Sequence, residues 1–200
     1  MPWYTGWGLN DVMLLAGVTD TDEALFAFTE AREQPGLRAS PPMRLAALTA
    51  ARTVSLELDG LWLPEEAVVV RQPYARWAAA DRTKTANASP AVFGITETAL
   101  ALLDDTTADP LRARLTDIRA HAYALADHPA PDEHRKESLA LRTQAYELMR
   151  AATTAAVVAG GGKSLTLANK AQRLAREALF LLVQGQTPES RAAHLKTLAR

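Results

Sequence analysis

The sequence predicts an α+β fold, in which an antiparallel β-piece is followed by an antiparallel helical bundle of four to five helices. Short apolar runs separated by turn-forming residues fill residues 1–72, as is typical of strands. From about Ser89 onward, the apolar residues recur at helical spacing instead. Strands and helices that are segregated along a chain, rather than alternating, indicate α+β rather than a wound α/β sheet.

The first predicted strands form a hairpin. Val12–Val18 is a short apolar run, the next four residues are turn-prone, and Ala24–Thr29 is predicted to return beside it. Gln34-Pro35-Gly36 marks a further turn. These signals place an antiparallel pair near the start of the chain.

A second hairpin is predicted further on. Thr53–Leu58 alternates between polar and apolar residues, so Val54, Leu56 and Leu58 should share one face of a strand. Asp59-Gly60 tolerates positive φ, which predicts a tight turn and a returning strand at Leu61–Leu63.

Cap residues and prolines set the predicted helix starts. Ser89, Asp109 and Thr187 each precede a proline, the arrangement of an N-cap followed by a first-turn proline. The predicted helices run from about Ser89 to Leu103, Asp109 to Ala126, Glu133 to Ala159, Ser164 to Val183, and Thr187 to the end.

Two of these helices carry stripes of alternating leucine and alanine at spacings of three and four. Such stripes allow two helices to approach closely, which predicts antiparallel packing. The stripes are Leu141, Ala145, Leu148, Ala152 and Ala155 in one helix, and Leu167, Ala171, Leu174, Ala178 and Leu181 in the other.

Composition excludes several classes of function. A net charge of −1 argues against a nucleic-acid partner, because no excess of cations exists to neutralise phosphates. Without cysteine there are no disulfides, thiolate nucleophiles or thiolate metal sites. No signal peptide is recognisable and no apolar stretch is long enough to span a bilayer, so we expect a cytoplasmic protein without membrane contact.

Three weaker signals are interpreted as structural. Residues 163–200 carry seven Lys/Arg and two acids, which indicates solvated helix faces or, alternatively, a subunit contact or anion site. Gly160–Ser164 lacks the first glycine of a phosphate-binding loop. His128 and His134 lie in a proline-rich loop, and we predict no metal site there.

Trp3-Tyr4-Thr5-Gly6 resembles the flavin-contacting W-x-T segment of the acyl-CoA dehydrogenase family. Leu56–Pro64, Gly160–Gly162 and Gln184-Gly185 resemble further motifs of that family, in the same order. The resemblance implies that residues 1–72 are a partial middle β-domain, 73–87 a linker and 88–200 the C-terminal helical bundle. It also implies that the family's N-terminal domain is absent.

The same resemblance implies FAD as cofactor, held between the β-domain and the bundle. Trp3 would stack on the isoalloxazine, Thr5 would hydrogen-bond the ring N5, and Gly160, Gly161 and Gly185 would be further cofactor contacts. The alternative from the residues alone is a buried tryptophan beside an ordinary strand threonine.

The resemblance places Gln184 where the family's commonest catalytic base, a glutamate, removes the substrate's α-proton. An amide cannot accept that proton at neutral pH. The family's other base position falls at Arg82–Thr85, again without a carboxylate. Asp104-Asp105 and Val157 also replace residues that contact FAD in the family.

Two main functions therefore remain open. The chain is predicted to be an acyl-CoA dehydrogenase-like oxidoreductase, incomplete or impaired because of Gln184, acting on an acyl-CoA substrate. The alternative is a non-catalytic scaffold or partner subunit; a flavin monooxygenase relative is a third reading. The resemblance further implies a homo-oligomer, or a partner chain that supplies the N-terminal domain.

Overall fold

A computed structural model describes residues 3–199. The chain divides after Ala80 into two compact units, one mainly of strands and one of helices. The predicted α+β class is confirmed. Within residues 3–199, no helix has the length and apolarity needed to cross a membrane.

The first unit contains two antiparallel sheets. Strands β1, β2 and β5 form a three-stranded sheet in the order β1-β2-β5, and β3 pairs with β4. The strands are β1 (Val12–Val18), β2 (Glu23–Glu30), β3 (Leu37–Ala39), β4 (Leu56–Leu58) and β5 (Val68–Pro73).

The predicted first hairpin is confirmed, with Leu14 opposite Phe28 across the β1–β2 pair. Met13 and Leu15 face the core and are buried, while Leu14 on the opposite face is exposed. Strand β5, which no sequence signal predicted, joins β2 on its other side through a register shift after Phe26.

The predicted second hairpin is wrong. Strand β4 pairs with β3, and residues 61–63 form no strand. The backbone N–H of Asp59 donates to the carbonyl of Gly36 (3.0 Å), so the turn at Asp59-Gly60 is tied to the Gln34–Gly36 turn. Leu61 and Leu63 pack against the core of this unit instead of completing a ladder.

In the described part of the chain, six α-helices follow the strands, and residues 74–86 form the first of them. Pro90 begins the second helix, where the Ser89 hydroxyl accepts from the Ala91 N–H as predicted. The helices are α1 (Tyr74–Ala86), α2 (Pro90–Leu100), α3 (Asp105–Ala126), α4 (Arg135–Gly160), α5 (Lys170–Val183) and α6 (Pro188–Leu198).

Two predicted helix starts are wrong. Helix α3 begins at Asp105, because the Asp104 carboxylate accepts from the Thr107 N–H (2.9 Å), and Pro110 lies inside the helix. Helix α5 begins after Asn169, whose side-chain oxygen accepts from the Ala171 N–H (2.8 Å). In both cases a side-chain acceptor nearer the true start satisfies the free N–H groups of the first turn.

Ser164 therefore does not cap a helix. It is buried within the 3₁₀ turn Gly161–Leu165 that follows α4. Leu167, predicted to begin the α5 stripe, precedes that helix and is exposed.

The remaining stripe residues form the core of the second unit. Four of the five predicted positions in α4, all except the half-buried Ala155, are buried, as are the four that lie in α5. They pack with residues of α2 and α3 in one cluster. The buried stripe residues are Leu141, Ala145, Leu148, Ala152, Ala171, Leu174, Ala178 and Leu181.

Candidate functional site

The segment around Trp3 is an extended stretch paired with the middle of the first unit. The backbone groups of Tyr4 and Val54 exchange two hydrogen bonds of 2.8 Å. Side chains alternate across an extended backbone. Tyr4 packs against the core, whereas Trp3 is 60% exposed and Thr5 is exposed. The alternative of a buried tryptophan is therefore wrong.

Thr5 has a hydrogen-bond partner, Thr53, that its local sequence does not predict. Its hydroxyl lies 3.1 Å from the hydroxyl of Thr53, and either oxygen can donate. Thr53 is buried, so its rotamer is restrained by its surroundings. Because Tyr4 pairs with Val54, the neighbouring threonines fall opposite each other on one face, and the hydrogen bond orients the exposed hydroxyl of Thr5.

The glycine cluster ends helix α4. Gly161 has φ +60° and donates its N–H to the carbonyl of Val158, as a C-terminal glycine does. A side chain at Gly160 would collide with the hydroxyl of buried Ser164. The close contact with Ser164 therefore explains why residue 160 is a glycine. A Cβ at Gly161 would meet open space, so no such contact explains the glycine there.

Gln184 and Gly185 form the turn between α5 and α6. The backbone N–H of Gln184 donates to the carbonyl of Phe180 (3.0 Å), and the residue is exposed. Gly185 has φ +58°, which lets the chain reverse before Thr187 caps α6. The exposed amide can donate and accept hydrogen bonds but offers no general base.

Two glutamates of the second unit that lie outside the turn of Gln184 are engaged by arginines. Glu189, in the first turn of α6, forms a two-point ion pair with Arg135, one of whose contacts is 2.9 Å. Glu97 on α2 lies 3.6 Å from Arg119. Both carboxylates are therefore held in ion pairs.

The connection before α3 is anionic. Hydrogen bonds from the backbone N–H and then the hydroxyl of Thr107 lower the pKa of Asp104. A carboxylate held ionised at a helix N-terminus occupies the position that would otherwise attract a phosphate. The start of α3 therefore disfavours a bound anion such as a phosphate.

Histidines gather beside the loop between α3 and α4. The rings of His128 and His134 lie 4.3 Å apart, and Glu137 faces His121 at 3.0 Å and His134 at 3.6 Å. In the part of the chain that the structure describes, no group of three or more metal-ligating side chains has a geometry that could hold an ion.

The predicted site residues thus form three local groups. Trp3 and Thr5 lie together with Thr53 in the first unit. Gly160 and Gly161 lie in one turn of the second unit, and Gln184 and Gly185 lie in another.

Solved structures share this fold. The butyryl-CoA dehydrogenase of Megasphaera elsdenii matches 98% of the chain with 18% identity and a TM-score of 0.65. The glutaryl-CoA dehydrogenase of Mycobacterium smegmatis, in complex with FADH2, matches 98% with 19% identity and a TM-score of 0.67. The prolyl acyl carrier protein oxidase AnaB matches 100% with 14% identity and a TM-score of 0.69.

The matched region is only part of each of those proteins. The chain spans 58%, 56% and 60% of their respective lengths. No protein-family model matches the sequence, and a search of curated proteins gives no match. The order of strands and helices, the W-x-T segment and the structural matches agree. The chain therefore has the fold of the corresponding part of the acyl-CoA dehydrogenases.

Proposed function

We propose that the chain is an acyl-CoA dehydrogenase-like flavoprotein chain whose proton-abstraction step is impaired. The observation that carries the proposal is the shared exposed face of Trp3 and Thr5, beside the buried hydroxyl of Thr53. The likeness to a butyryl-CoA dehydrogenase and to a glutaryl-CoA dehydrogenase in complex with FADH2 supports the flavin and acyl-CoA assignments.

In this proposal the first unit holds the flavin ring. The indole of Trp3 stacks on the isoalloxazine, and aromatic stacking favours a flat ring of this kind. The hydroxyl of Thr5 donates a hydrogen bond to N5 while it accepts one from Thr53, because a hydroxyl is one donor and two acceptors. FAD, when bound, supplies the hydride acceptor for oxidation of a CH–CH bond.

Removal of the proton from the substrate's α-carbon is the catalytic step for which this chain lacks a suitable side chain. A positioned general base usually contributes about 10²- to 10⁴-fold to such a step. Gln184 can only hydrogen-bond, so an active site needs a carboxylate from elsewhere. The proposal keeps three further cofactor contacts, Gly160, Gly161 and Gly185. It also places the chain in fatty acid metabolism in the cytoplasm. There the chain forms a homo-oligomer or binds a partner chain.

Retention of FAD by the purified chain tests the proposal. We expect flavin absorbance to stay with the protein after unbound FAD is removed. Trp3→Ala should weaken FAD binding by about tenfold, because it removes roughly 0.5–1.5 kcal/mol of stacking besides apolar contact. Trp62→Ala is the matched control, since Trp62 is 77% exposed in the same unit and lies outside the proposed site. Titration with FAD, followed by the change in flavin fluorescence, measures the FAD affinity of both variants.

A folded chain that retains no flavin at any concentration tested would contradict the flavoprotein assignment. Circular dichroism establishes whether the chain is folded. That result would favour the alternative, a non-catalytic scaffold or partner subunit, which Gln184 and the anionic Asp104 already support.

Thr53→Val tests the orientation of Thr5. The substitution keeps the shape of Thr53 and removes its hydroxyl, so FAD affinity should fall by about two- to tenfold, the equivalent of one hydrogen bond of roughly 0.5–1.5 kcal/mol. Thr29→Val removes a hydroxyl that accepts from Gln34 in the same unit, and it should leave FAD affinity unchanged. Equal losses in the two variants would show that Thr53 has no specific part in binding.

A further inference from the structure

Helix α6 is held to the second unit by very few buried side chains. Only Ser190 and His194 are buried along its length. His194 is 4% exposed, and its ring lies 4.9 Å from the ring of Tyr146 on α4. Its Nε2 is buried and has no hydrogen-bond partner among the described residues. Besides the partly exposed ion pair between Arg135 of α4 and Glu189 of α6, the contact of α6 with α4 depends on this buried imidazole.

A buried cation lies next to this contact. Arg142 on α4 is 4% exposed, and one of its guanidinium nitrogens donates to the carbonyls of Thr85 (3.2 Å) and Asn87 (3.1 Å). These carbonyls lie at the C-terminal end of α1, where the helix dipole favours positive charge. The guanidinium carbon lies 4.7 Å from the centre of the Tyr146 ring. The guanidinium of Arg142 thus has backbone carbonyls rather than a carboxylate as its hydrogen-bond partners.

The other groups around His194 are of both signs or neutral. Helix α4 contributes Glu147, Arg150 and Tyr146, whose pKa burial raises so that the phenol stays neutral. Helix α5 contributes Leu182, and α6 itself contributes Thr197, Leu198 and Glu189, the last of which is paired with Arg135 of α4. The charge that acts on the pKa of His194 is that of Arg142.

We propose that α6 is an acid-released helix: protonation of His194 places a second, desolvated cation beside Arg142 and detaches α6 from α4. The proposal concerns the second unit alone and holds whether or not the chain binds flavin. It predicts a conformational response to pH in a helix that directly follows the turn of Gln184 and Gly185.

The direction of the response follows from the environment of His194. Burial first, and then the charge of Arg142, lower the pKa of His194, so the docked form is neutral at pH 7. In a released helix the imidazole has the ordinary pKa of about 6.5. Docking is therefore fully favourable above about pH 6.5, and it weakens by up to about tenfold per pH unit below that value until the docked form also protonates.

Hydrogen exchange of residues 188–198 tests the proposal. Exchange rates are measured at pH 7.5, 6.5 and 5.5 and divided by the intrinsic exchange rate of each amide at that pH. The ratios give the opening equilibrium of α6. We expect opening to increase by up to about fivefold between pH 6.5 and 5.5 in the native chain, while α2–α5 stay protected. His194→Phe and His194→Gln should remove this pH dependence. His121→Gln is the control, because His121 is a half-exposed histidine paired with Glu137 on the surface.

Three results would overturn the proposal. The first is an opening of native α6 that does not change between pH 6.5 and 5.5. The second is the same pH dependence in whichever of the two His194 variants folds. The third is loss of protection in α4 and α5 together with α6, which would show global acid unfolding rather than release of one helix.

Discussion

Gln184→Glu is expected to raise the rate at which an acyl-CoA thioester reduces bound flavin by about 10²- to 10⁴-fold, the usual contribution of a positioned general base. Gln184 is exposed in the turn between α5 and α6, so a carboxylate there carries little desolvation cost. The substitution changes an amide into a carboxylate of the same length. Anaerobic loss of the oxidised flavin band after mixing with acyl-CoA measures the rate.

Gln186→Glu is the matched control for this substitution. Gln186 lies two residues away, and its amide already donates to the carbonyl of Leu182 (3.2 Å) and accepts from Arg191 (2.9 Å). A carboxylate at that place should give no gain in rate. If flavin binds and Gln184→Glu still yields no acyl-CoA-dependent reduction, the missing base is not the only defect, and the scaffold alternative is favoured.

Gly36→Ala is expected to destabilise the first unit by about 2–5 kcal/mol. Gly36 has φ +82°, a conformation that costs an alanine roughly 1–2 kcal/mol. A Cβ there would lie 2.7 Å from the carbonyl carbon of Gly60 and closer still to the backbone of Leu61, and backbone clashes of this kind add about 1–3 kcal/mol. Urea unfolding followed by tryptophan fluorescence measures the loss.

Gly60→Ala separates the clash from the strained backbone. Gly60 has φ +68° but open space where a Cβ would be, so we expect a loss of only about 1–2 kcal/mol. If both substitutions destabilise the first unit equally, the contact between the two turns does not fix their approach. Gly36 would then contribute to stability only through its positive φ.

Local signals in the sequence predicted much of the fold. The β1–β2 hairpin and the α4 and α5 stripes depend on residues close in sequence, whose periodicity decides which side chains are buried. The pairing of β4 with β3 was not predictable from the turn at Asp59-Gly60, because it depends on a contact with Gly36. The start of α3 was misplaced because Asp109-Pro110 and Asp104 are both plausible caps.

The candidate site was predictable only in part. Trp3 and Thr5 stand out in the sequence, but nothing local indicates that Thr53 supports Thr5, since this requires knowing that Tyr4 pairs with Val54. The cluster around His194 was likewise predictable only in part. Arg142 and Tyr146 are one helical turn apart and could be paired by spacing, but the partner from α6 comes from the packing of distant elements.

The two outer strands of the three-stranded sheet differ in how readily they accept a neighbour. Strand β5 ends in Arg71, Gln72 and Pro73, and charge and proline discourage further pairing at an edge. Strand β1 carries neither a charge nor a proline, and it exposes Val12 and Leu14 on the face opposite the core. Of the two edges of this sheet, β1 is therefore the one that presents less hindrance to pairing with a further strand.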